Sequence, residues 1–351
     1  VPLLSAPICV ILRRRIPVTA FAVATTWVVF GIAVALLVRV LEAGPVAYEL
    51  GGWAAPWGIE YRVDALSAFV LLFVSGIGAV VLSYAPRSLA REIPHDRHYL
   101  FVATYLLCLT GLLGIVLTGD LYNVFVCLEI SSISSYALIS MGRDRRACAA
   151  AFQYLVLGTI GATFILIGIG LLYMMTGTLN MADMAVRLEP LQQTRTVLAA
   201  FGFLSVGIGL KMALFPLHAW MPNAYAYAPS VVSAFLASTA TKVSVYILIR
   251  FVFSIYGMGS FEVVRLDMLL LPLALVGIFA ASTVAIFQRN IKRMLAYSSI
   301  AQVGYMAVGI GFATVTGLTG GIVHIFNHAL IKGGLFMAMG SIFLRIGSVD
   351  I

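Results

Sequence analysis

The chain has 351 residues, of which 62% are hydrophobic and only 10% are charged, and its mean hydropathy is +1.04. Soluble domains are about 45–50% apolar and about 25% charged, so the composition excludes a soluble globular protein and indicates a membrane protein with many spans. The net charge of +8 does not indicate nucleic acid as a partner, because basic loops on one side of a membrane explain it better.

Apolar runs predict about eleven helices, since a span needs about 20 residues. The first run, Val1–Leu12, is too short to cross, and the sequence begins with valine. We therefore expect that the natural N-terminus is missing; a signal-like segment is the alternative, although no basic region precedes it. Predicted helices 2 to 11 are Val18–Val40, Ala65–Tyr84, Tyr99–Leu117, Leu121–Met141, Ala149–Tyr173, Val197–Ala219, Val231–Phe253, Met268–Phe287, Met294–Phe312 and Gly320–Leu344.

The loop charges predict an orientation. If every run crosses once, the arginine-rich loops 13–15, 87–97, 143–146 and 289–293 share one face, which we call the basic face. The positive-inside rule predicts that this face is cytoplasmic and that the chain is a multi-pass protein of the cell (inner) membrane. The loop of residues 42–64 lies on the opposite face; its glycines, prolines and two tryptophans predict a short hairpin or an interfacial segment.

The four cysteines form no CxxC pair, which argues against a disulfide framework, an iron–sulfur site or a zinc site. We interpret them as packing residues. The sequence predicts no metal and no other cofactor.

Charged residues at membrane depth are the strongest functional signal. The chain has four lysines, and three of them, Lys211, Lys242 and Lys332, lie near the middle of predicted helices, whereas Lys292 lies in a basic loop. A buried ammonium can release its proton, while arginine stays charged and would block a relay. Such residues in a membrane helix indicate an ion or proton path.

Glu129, in the middle of predicted helix 5, is the expected partner of Lys211. The pair is either a switch, in which Lys211 passes on its proton when the pair opens, or a static ion pair that fixes helix packing. The number of lysines and histidines in the same chain favours the switch. Asp120 lies at the start of the same helix, where we expect water to reach it.

Predicted helix 11 contains His324, His328 and Lys332, spaced i, i+4, i+8, so the three lie on one face over about 12 Å. Histidine titrates near neutral pH, so this line could carry protons or order water between Lys242 and Lys332. Polar packing and a metal pair are the alternatives, and the metal pair lacks a third ligand.

A helix break is predicted within predicted helix 7. Pro216 and Pro222 remove backbone donors, and exposed carbonyls at membrane depth are tolerated only beside protein or water. His218 lies in the break, where a role in transport and a structural role are about equally favoured.

Four segments resemble a known family: GDLYNVFVCLEISSISSYALI, GLKMALFPLHAWMPNAYAYAPSVVSAFLASTATKVSVYILIR, KRMLAYSSIAQVGYMAVGIG and HIFNHALIKGGLFMAMG. The chain from about Gly51 onward resembles the antiporter-like subunits shared by respiratory complex I and the Mrp-type Na⁺/H⁺ antiporters, the D subunit of Mrp in particular. By position, Glu129 matches the family's helix 5 glutamate, Lys211 its paired helix 7 lysine and Lys242 its central helix 8 lysine. His324, His328 and Lys332 match its polar helix 11 residues.

The resemblance implies an all-α polytopic membrane protein with inverted five-helix repeats and a broken helix 7. Residues 1–98 would hold helices 1–3, residues 99–256 the complete first repeat of helices 4–8, and residues 257–351 a second repeat cut after its third helix. We expect the exit residue of the path beyond Ile351.

The function implied is a proton-translocating subunit, not an enzyme, of a multisubunit monovalent cation (Na⁺)/H⁺ antiporter. The alternatives are a proton-pumping subunit of a complex I-type dehydrogenase or membrane hydrogenase, and a structural membrane subunit. The expected partners are other membrane subunits, the lipid bilayer and H⁺; whether Na⁺ passes through this chain is open.

Overall fold

The computed structural model describes residues 1–12 and 18–350. Arg13, Arg14 and Arg15, which belong to the first arginine-rich loop, lie outside the described residues. In chain order the elements are α1 (Pro2–Leu12), α2 (Val18–Ala43), β1 (Val46–Glu49), β2 (Glu60–Val63), α3 (Ala65–Glu92), α4 (His98–Leu117), α5 (Leu121–Ser140), α6 (Arg145–Thr176), α7 (Met181–Leu188), α8 (Arg195–Met212), α9 (Met221–Tyr227), α10 (Ser230–Ser238), α11 (Ala240–Ile249), a π-helix (Arg250–Ile255), α12 (Gly259–Glu262), α13 (Leu266–Ile286), α14 (Ile291–Gly311) and α15 (Val315–Ile346).

Within this described part, nine helical segments are long and apolar enough to cross a membrane, with α10, α11 and the π-helix counted as one. The shorter α1 and the more polar 21-residue α14 accompany them. Each of these segments falls on one of the predicted runs, so the prediction of a polytopic helical membrane protein is confirmed.

Polar residues fix where several helices begin. The first N–H groups of a helix have no partner inside the helix, and a preceding Asp, Asn or Thr side chain can accept from them. Six helices begin in this way, after Asp64, Asp120, Asp144, Asn180, Asn290 and Thr314. These caps therefore fix the residue at which each of these helices starts, which composition alone does not define.

The loop between α2 and α3 forms a β-hairpin. Strands β1 and β2 pair antiparallel, with Val46 opposite Val63, and Tyr61 bridges to Thr118 at the end of α4. The predicted hairpin is confirmed, and the all-α description needs this small correction. Both strands lie outside the apolar segments.

The described loops meet on two opposite faces. On one face Arg91, Arg143, Arg146 and Lys292 line a single cavity, so three of the four arginine-rich loops do share a side. On the other face the Asn180 side chain donates to Glu60, and Arg250 pairs with Asp64. Helix α4 follows Arg91 and Glu92 of the basic face, whereas α13 follows Arg250 and Ser254 of the opposite face, so α4 and α13 run in opposite directions.

Helices α6 and α8 approach each other through glycine. A Cβ atom at Gly207 would lie 2.6 Å from the carbonyl oxygen of Gly161, so only hydrogen fits there. Small residues permit this close helix approach inside a membrane. The contact fixes the helix that carries Lys211.

Candidate functional site

The break in predicted helix 7 lies between α8 and α9. Helix α8 ends at Met212, where Ala213 adopts a left-handed conformation (φ 58°, ψ 43°), and α9 begins at Met221. The indole N–H of Trp220 donates to the Leu210 carbonyl, at 2.9 Å, and so satisfies an acceptor at the helix end. The predicted break is therefore present, and the regular helix before it ends at Met212 rather than at the predicted boundary, Ala219.

The two prolines of this region have different roles. Pro216 lies inside the irregular segment. Pro222 lies in the first turn of α9, where a helix needs no N–H donor. Pro222 therefore lies at the far edge of the break, where α9 begins, and removes no hydrogen bond within that helix.

His218 lies in the break, partly buried. Its ring packs against Phe215, with centroids 5.3 Å apart, and faces Tyr297 of α14 at 6.4 Å. Among the described residues, no hydrogen bond or ion pair joins it to the predicted lysines or to Glu129. The break does bring this histidine against α14.

Lys211 and Glu129 meet as predicted. The lysine is 5% exposed, and its Nζ lies 3.7 Å from Glu129 Oε1, which is close enough for an ion pair but too long for a hydrogen bond. The ammonium donates instead to Ser132 Oγ on the same helix as Glu129, at 2.8 Å. The Ser132 hydroxyl thus positions the Lys211 ammonium beside the Glu129 carboxylate, and the ammonium forms no hydrogen bond with that carboxylate.

Lys242 is held by a kink that the sequence did not predict. Predicted helix 8 is interrupted at Thr239 (φ −121°, ψ −57°), which separates α10 from α11. Lys242 is fully buried, and its Nζ donates to the Ala237 carbonyl and to Thr241 Oγ1, the latter at 3.2 Å. In a continuous helix the Ala237 carbonyl would accept from a backbone N–H instead. No acidic side chain pairs with it among the described residues.

The polar line on α15 forms as predicted. Lys332 is buried and donates to the Leu295 carbonyl of α14 at 2.9 Å. The rings of His324 and His328 lie parallel, with centroids 6.1 Å apart. His328 is 2% exposed, and both Lys242 and Lys332 act on it electrostatically. Lys242, His328 and Lys332 therefore form one buried group.

Lys292 is a buried residue that the sequence pattern assigned to a loop. It is 4% exposed in the first turn of α14, and its Nζ donates to the Ala228 carbonyl at 3.2 Å. The signal was available in the sequence, because Asn290 is a strong N-cap residue that begins a helix before Lys292.

Two further polar groups differ from expectation. Asp120 is 6% exposed, so the expectation that water reaches it was wrong; it caps α5 by accepting from Asn123 N–H at 2.7 Å. Burial raises the pKa of its carboxyl. Arg250, for which the sequence predicted no partner, pairs with Asp64 at the start of α3 and donates to Ser67 Oγ at 2.8 Å.

Comparisons with known proteins identify the family. Residues 118–350 match the family described as NADH:quinone oxidoreductase/Mrp antiporter, TM. The chain belongs to this family. That assignment confirms the resemblance noted in the sequence.

Two relatives represent the two branches of the family. The N subunit of the NADH-quinone oxidoreductase from Desulforudis audaxviator is 45% identical over 315 residues, which cover 90% of this chain and 62% of the relative. The D subunit of the Na⁺/H⁺ antiporter from Alkalihalophilus pseudofirmus is 32% identical over 320 residues, which cover 91% and 64%. The chain thus spans less than two thirds of the length of either protein.

Solved structures support the same fold. The membrane-bound sulfane sulfur reductase, an archaeal respiratory membrane complex, contains a chain that matches with a TM-score of 0.92 at 32% identity, covering 99% of this chain and 71% of that one. The Mrp complex from Dietzia matches with a TM-score of 0.89 at 25% identity, covering 100% and 64%. The antiporter-like fold predicted for this family is therefore confirmed.

Proposed function

We propose that this chain carries protons through a membrane as an antiporter-like subunit of a larger complex. The observation that carries the proposal is Lys242, a fully buried lysine at membrane depth with no acidic partner in the described part of the chain. A static structural role would favour an apolar side chain or a paired charge at such a site. A lysine that loads and releases a proton explains why an amine is kept there.

Glu129 and Lys211 would form the switch that controls the path. The 3.7 Å separation leaves the pair attractive but without a hydrogen bond, so small helix movements change the interaction strongly in a low dielectric. When the carboxylate approaches, it holds the proton on Lys211. When the pair opens, Ser132 alone holds the ammonium, and the proton can leave.

Lys242, His328 and Lys332 would carry the proton onward. Neither ring nitrogen of His328 has a hydrogen-bond partner among the described residues. Buried polar atoms are normally satisfied, so this ring is suited to water or to a proton in transit. His324 extends the line toward Tyr305, and the break around Pro216, His218 and Pro222 gives the adjacent segment freedom to move.

Replacement of Lys242 tests the proposal. Lys242→Ala is expected to abolish proton movement by the intact complex in proteoliposomes while leaving complex assembly unchanged. Val245→Ala is a matched control, because it truncates another fully buried side chain of the same helix without removing an amine. Normal transport by correctly assembled Lys242→Ala complex would exclude the proposal and leave a structural role.

Two kinds of complex are candidates, and they differ in the subunits that drive proton movement. The first is a multisubunit Na⁺/H⁺ antiporter, in keeping with the similarity to the D subunit of the Na⁺/H⁺ antiporter from Alkalihalophilus pseudofirmus. The second is a redox-driven respiratory complex, favoured by the 45% identity to the N subunit of an NADH-quinone oxidoreductase. Mass spectrometry of the purified complex separates them by showing either antiporter subunits or redox subunits.

We place the chain in the cell membrane with the basic face toward the cytoplasm, because basic loops are retained on that side. Residues 99–256 would act as the first repeat and residues 257–351 as part of the second. Other membrane subunits, lipid and H⁺ are the proposed partners, and the proposal assigns no Na⁺ site to this chain.

A further inference from the structure

The basic face contains a cavity that the path described above does not use. Its volume is about 430 Å³, enough for several water molecules, each of which occupies about 30 Å³ in the liquid. Its walls come from α3, α6, α9, α14 and the end of α15. Charged groups line it: Arg91, Glu92, Arg143, Asp144, Arg146, Lys292 and Asp350.

Lys292 is the most buried of these charged groups. It is 4% exposed, whereas Arg146 pairs with Asp144 on the rim, with side chains 68% and 39% exposed. The Lys292 ammonium is anchored by the Ala228 carbonyl at 3.2 Å and lies 5.8 Å from the centroid of the Phe343 ring. It therefore stands where the aqueous cavity meets the packed interior.

Glu92 supplies a fixed negative charge on the same wall. Its Oε2 accepts from the N–H of Ser230 at 2.8 Å and from Ser230 Oγ at 3.1 Å, and its Oε1 accepts from Ser88. These donors stabilise the charged carboxylate at the start of α10. Glu92 also attracts the Lys292 ammonium electrostatically, although the two do not form a direct ion pair.

The cavity and the buried path both reach α14 and lie close together along it. Lys292 and Leu295 are three residues apart, so they are neighbours on the helix surface about 5–6 Å apart. Leu295 provides the carbonyl that binds Lys332, and Lys332 belongs to the buried group with His328 and Lys242. The distance from cavity to path is therefore about one helical turn.

We propose that this cavity is the entrance for protons from the basic face, with Lys292 as the first carrier and Glu92 as its counter-charge. The proposal rests on the proton-carrying function proposed above. In the step, a hydronium ion in the cavity transfers a proton to the Lys292 amine and becomes water. The ammonium later returns the proton to water on its path toward Lys332, and the amine is regenerated.

A structural role for Lys292 makes a different prediction. If the residue only ties α14 to the Ala228 carbonyl, Lys292→Arg should preserve function, since arginine keeps the charge and the donors. If Lys292 loads protons, Lys292→Arg should fail like Lys292→Met, because a guanidinium does not release its proton.

The experiment measures transport by the intact complex in oriented vesicles while the pH is varied on one face at a time. For Lys292→Met and Lys292→Arg we expect the rate at neutral pH on the basic face to fall about tenfold or more, with partial recovery on acidification of that face only. Arg293→Met is the matched control, because it removes the adjacent positive charge and does not line the cavity. Its profile should remain unchanged.

Glu92→Gln is a second variant that keeps the acceptor for Ser230 but removes the charge. It should shift the dependence of the transport rate on the pH at the basic face toward lower pH, by less than the Lys292 variants do. If Lys292→Arg and Glu92→Gln both show the normal dependence of transport on the pH at the basic face, the cavity is not the proton entrance. Lys242→Ala separates the two proposals: if it abolishes transport while the Lys292 variants behave normally, only the entrance fails, and if it transports normally, the function itself fails.

Discussion

At the scale of single residues, the pairing of Glu129 with Lys211 is the part of the site that the sequence predicted best. A carboxylate and an ammonium at membrane depth in one chain have a strong electrostatic reason to meet, whatever the loops do. What the sequence could not predict is the role of Ser132, which receives the hydrogen bond at 2.8 Å while the carboxylate stays at 3.7 Å. Serines are common in membrane helices, and only the structure selects this one.

We expect Glu129→Ala and Lys211→Ala to reduce proton transport to the same extent, because each variant removes half of one switch. The double variant should be no worse than either single variant, since residues that act as a unit are strongly non-additive. Transport rates at equal complex levels in proteoliposomes check this.

The control for this pair is Ser134→Ala, on the same helix as Glu129 and buried like Ser132. It removes a hydroxyl that does not contact Lys211, so transport should stay unchanged, whereas Ser132→Ala should alter it. Clearly unequal losses for Glu129→Ala and Lys211→Ala would exclude a switch formed by the two together.

At the scale of elements, the helix positions were predictable but their interruptions were only partly so. Proline indicated the break near Pro216, although the helix ends earlier, at Met212. The kink at Thr239 contains no proline or glycine, the residues that usually mark one. At this turn the Lys242 ammonium donates to the Ala237 carbonyl and the Thr239 hydroxyl donates to the Phe235 carbonyl, so side chains of the same segment compete with the backbone hydrogen bonds.

The contact between α6 and α8 gives a prediction at this scale. Gly207→Ala should lower the free energy of unfolding by about 1–3 kcal/mol, because the added methyl group collides with the Gly161 carbonyl oxygen at 2.6 Å and the two backbones must separate. The melting temperature of the purified complex, measured by intrinsic fluorescence, reports this loss.

Gly202→Ala provides the comparison on the same helix. An added Cβ there has no atom within 4 Å, so the change should be neutral or slightly stabilising through better helix propensity. Equal melting temperatures for the two alanine variants would contradict the close approach of α6 and α8.

At the scale of the whole molecule, charge placement was predictable in outline and incomplete in detail. The requirement that each helix crosses once predicted a single basic face, and Arg91, Arg143 and Lys292 do lie together on one face. The depth of Lys292 and the pairing of Arg250 were missed, because loop charge counts say nothing about which long side chains fold back into the protein. Both residues connect distant parts of the chain.

The Asp64–Arg250 pair joins the start of α3 to the end of the helix that carries Lys242. Burial alone raises the pKa of the Asp64 carboxyl, but the hydrogen bond from Arg250, the Ser67 N–H and the charge of Arg250 outweigh it and lower the pKa below 3.8. A lowered pKa in the folded state means that the pair stabilises the protein above about pH 4, the unfolded value, and loses this contribution as the pH falls through the folded value.

Asp64→Asn should therefore destabilise the protein by about 1–2 kcal/mol at pH 7, a value reduced for solvent screening since the Asp64 side chain is 35% exposed. The difference from wild type should shrink as the pH falls below about 4.

Asp144→Asn is the matched control. Both aspartates cap a helix and pair with an arginine, and asparagine preserves both caps. The arginine that pairs with Asp144, however, is Arg146, whose side chain is 68% exposed. Because exposed pairs contribute little, Asp144→Asn should leave the melting temperature unchanged at every pH. Equal effects of Asp64→Asn and Asp144→Asn would mean that the Asp64–Arg250 pair does not join α3 to the helix that carries Lys242.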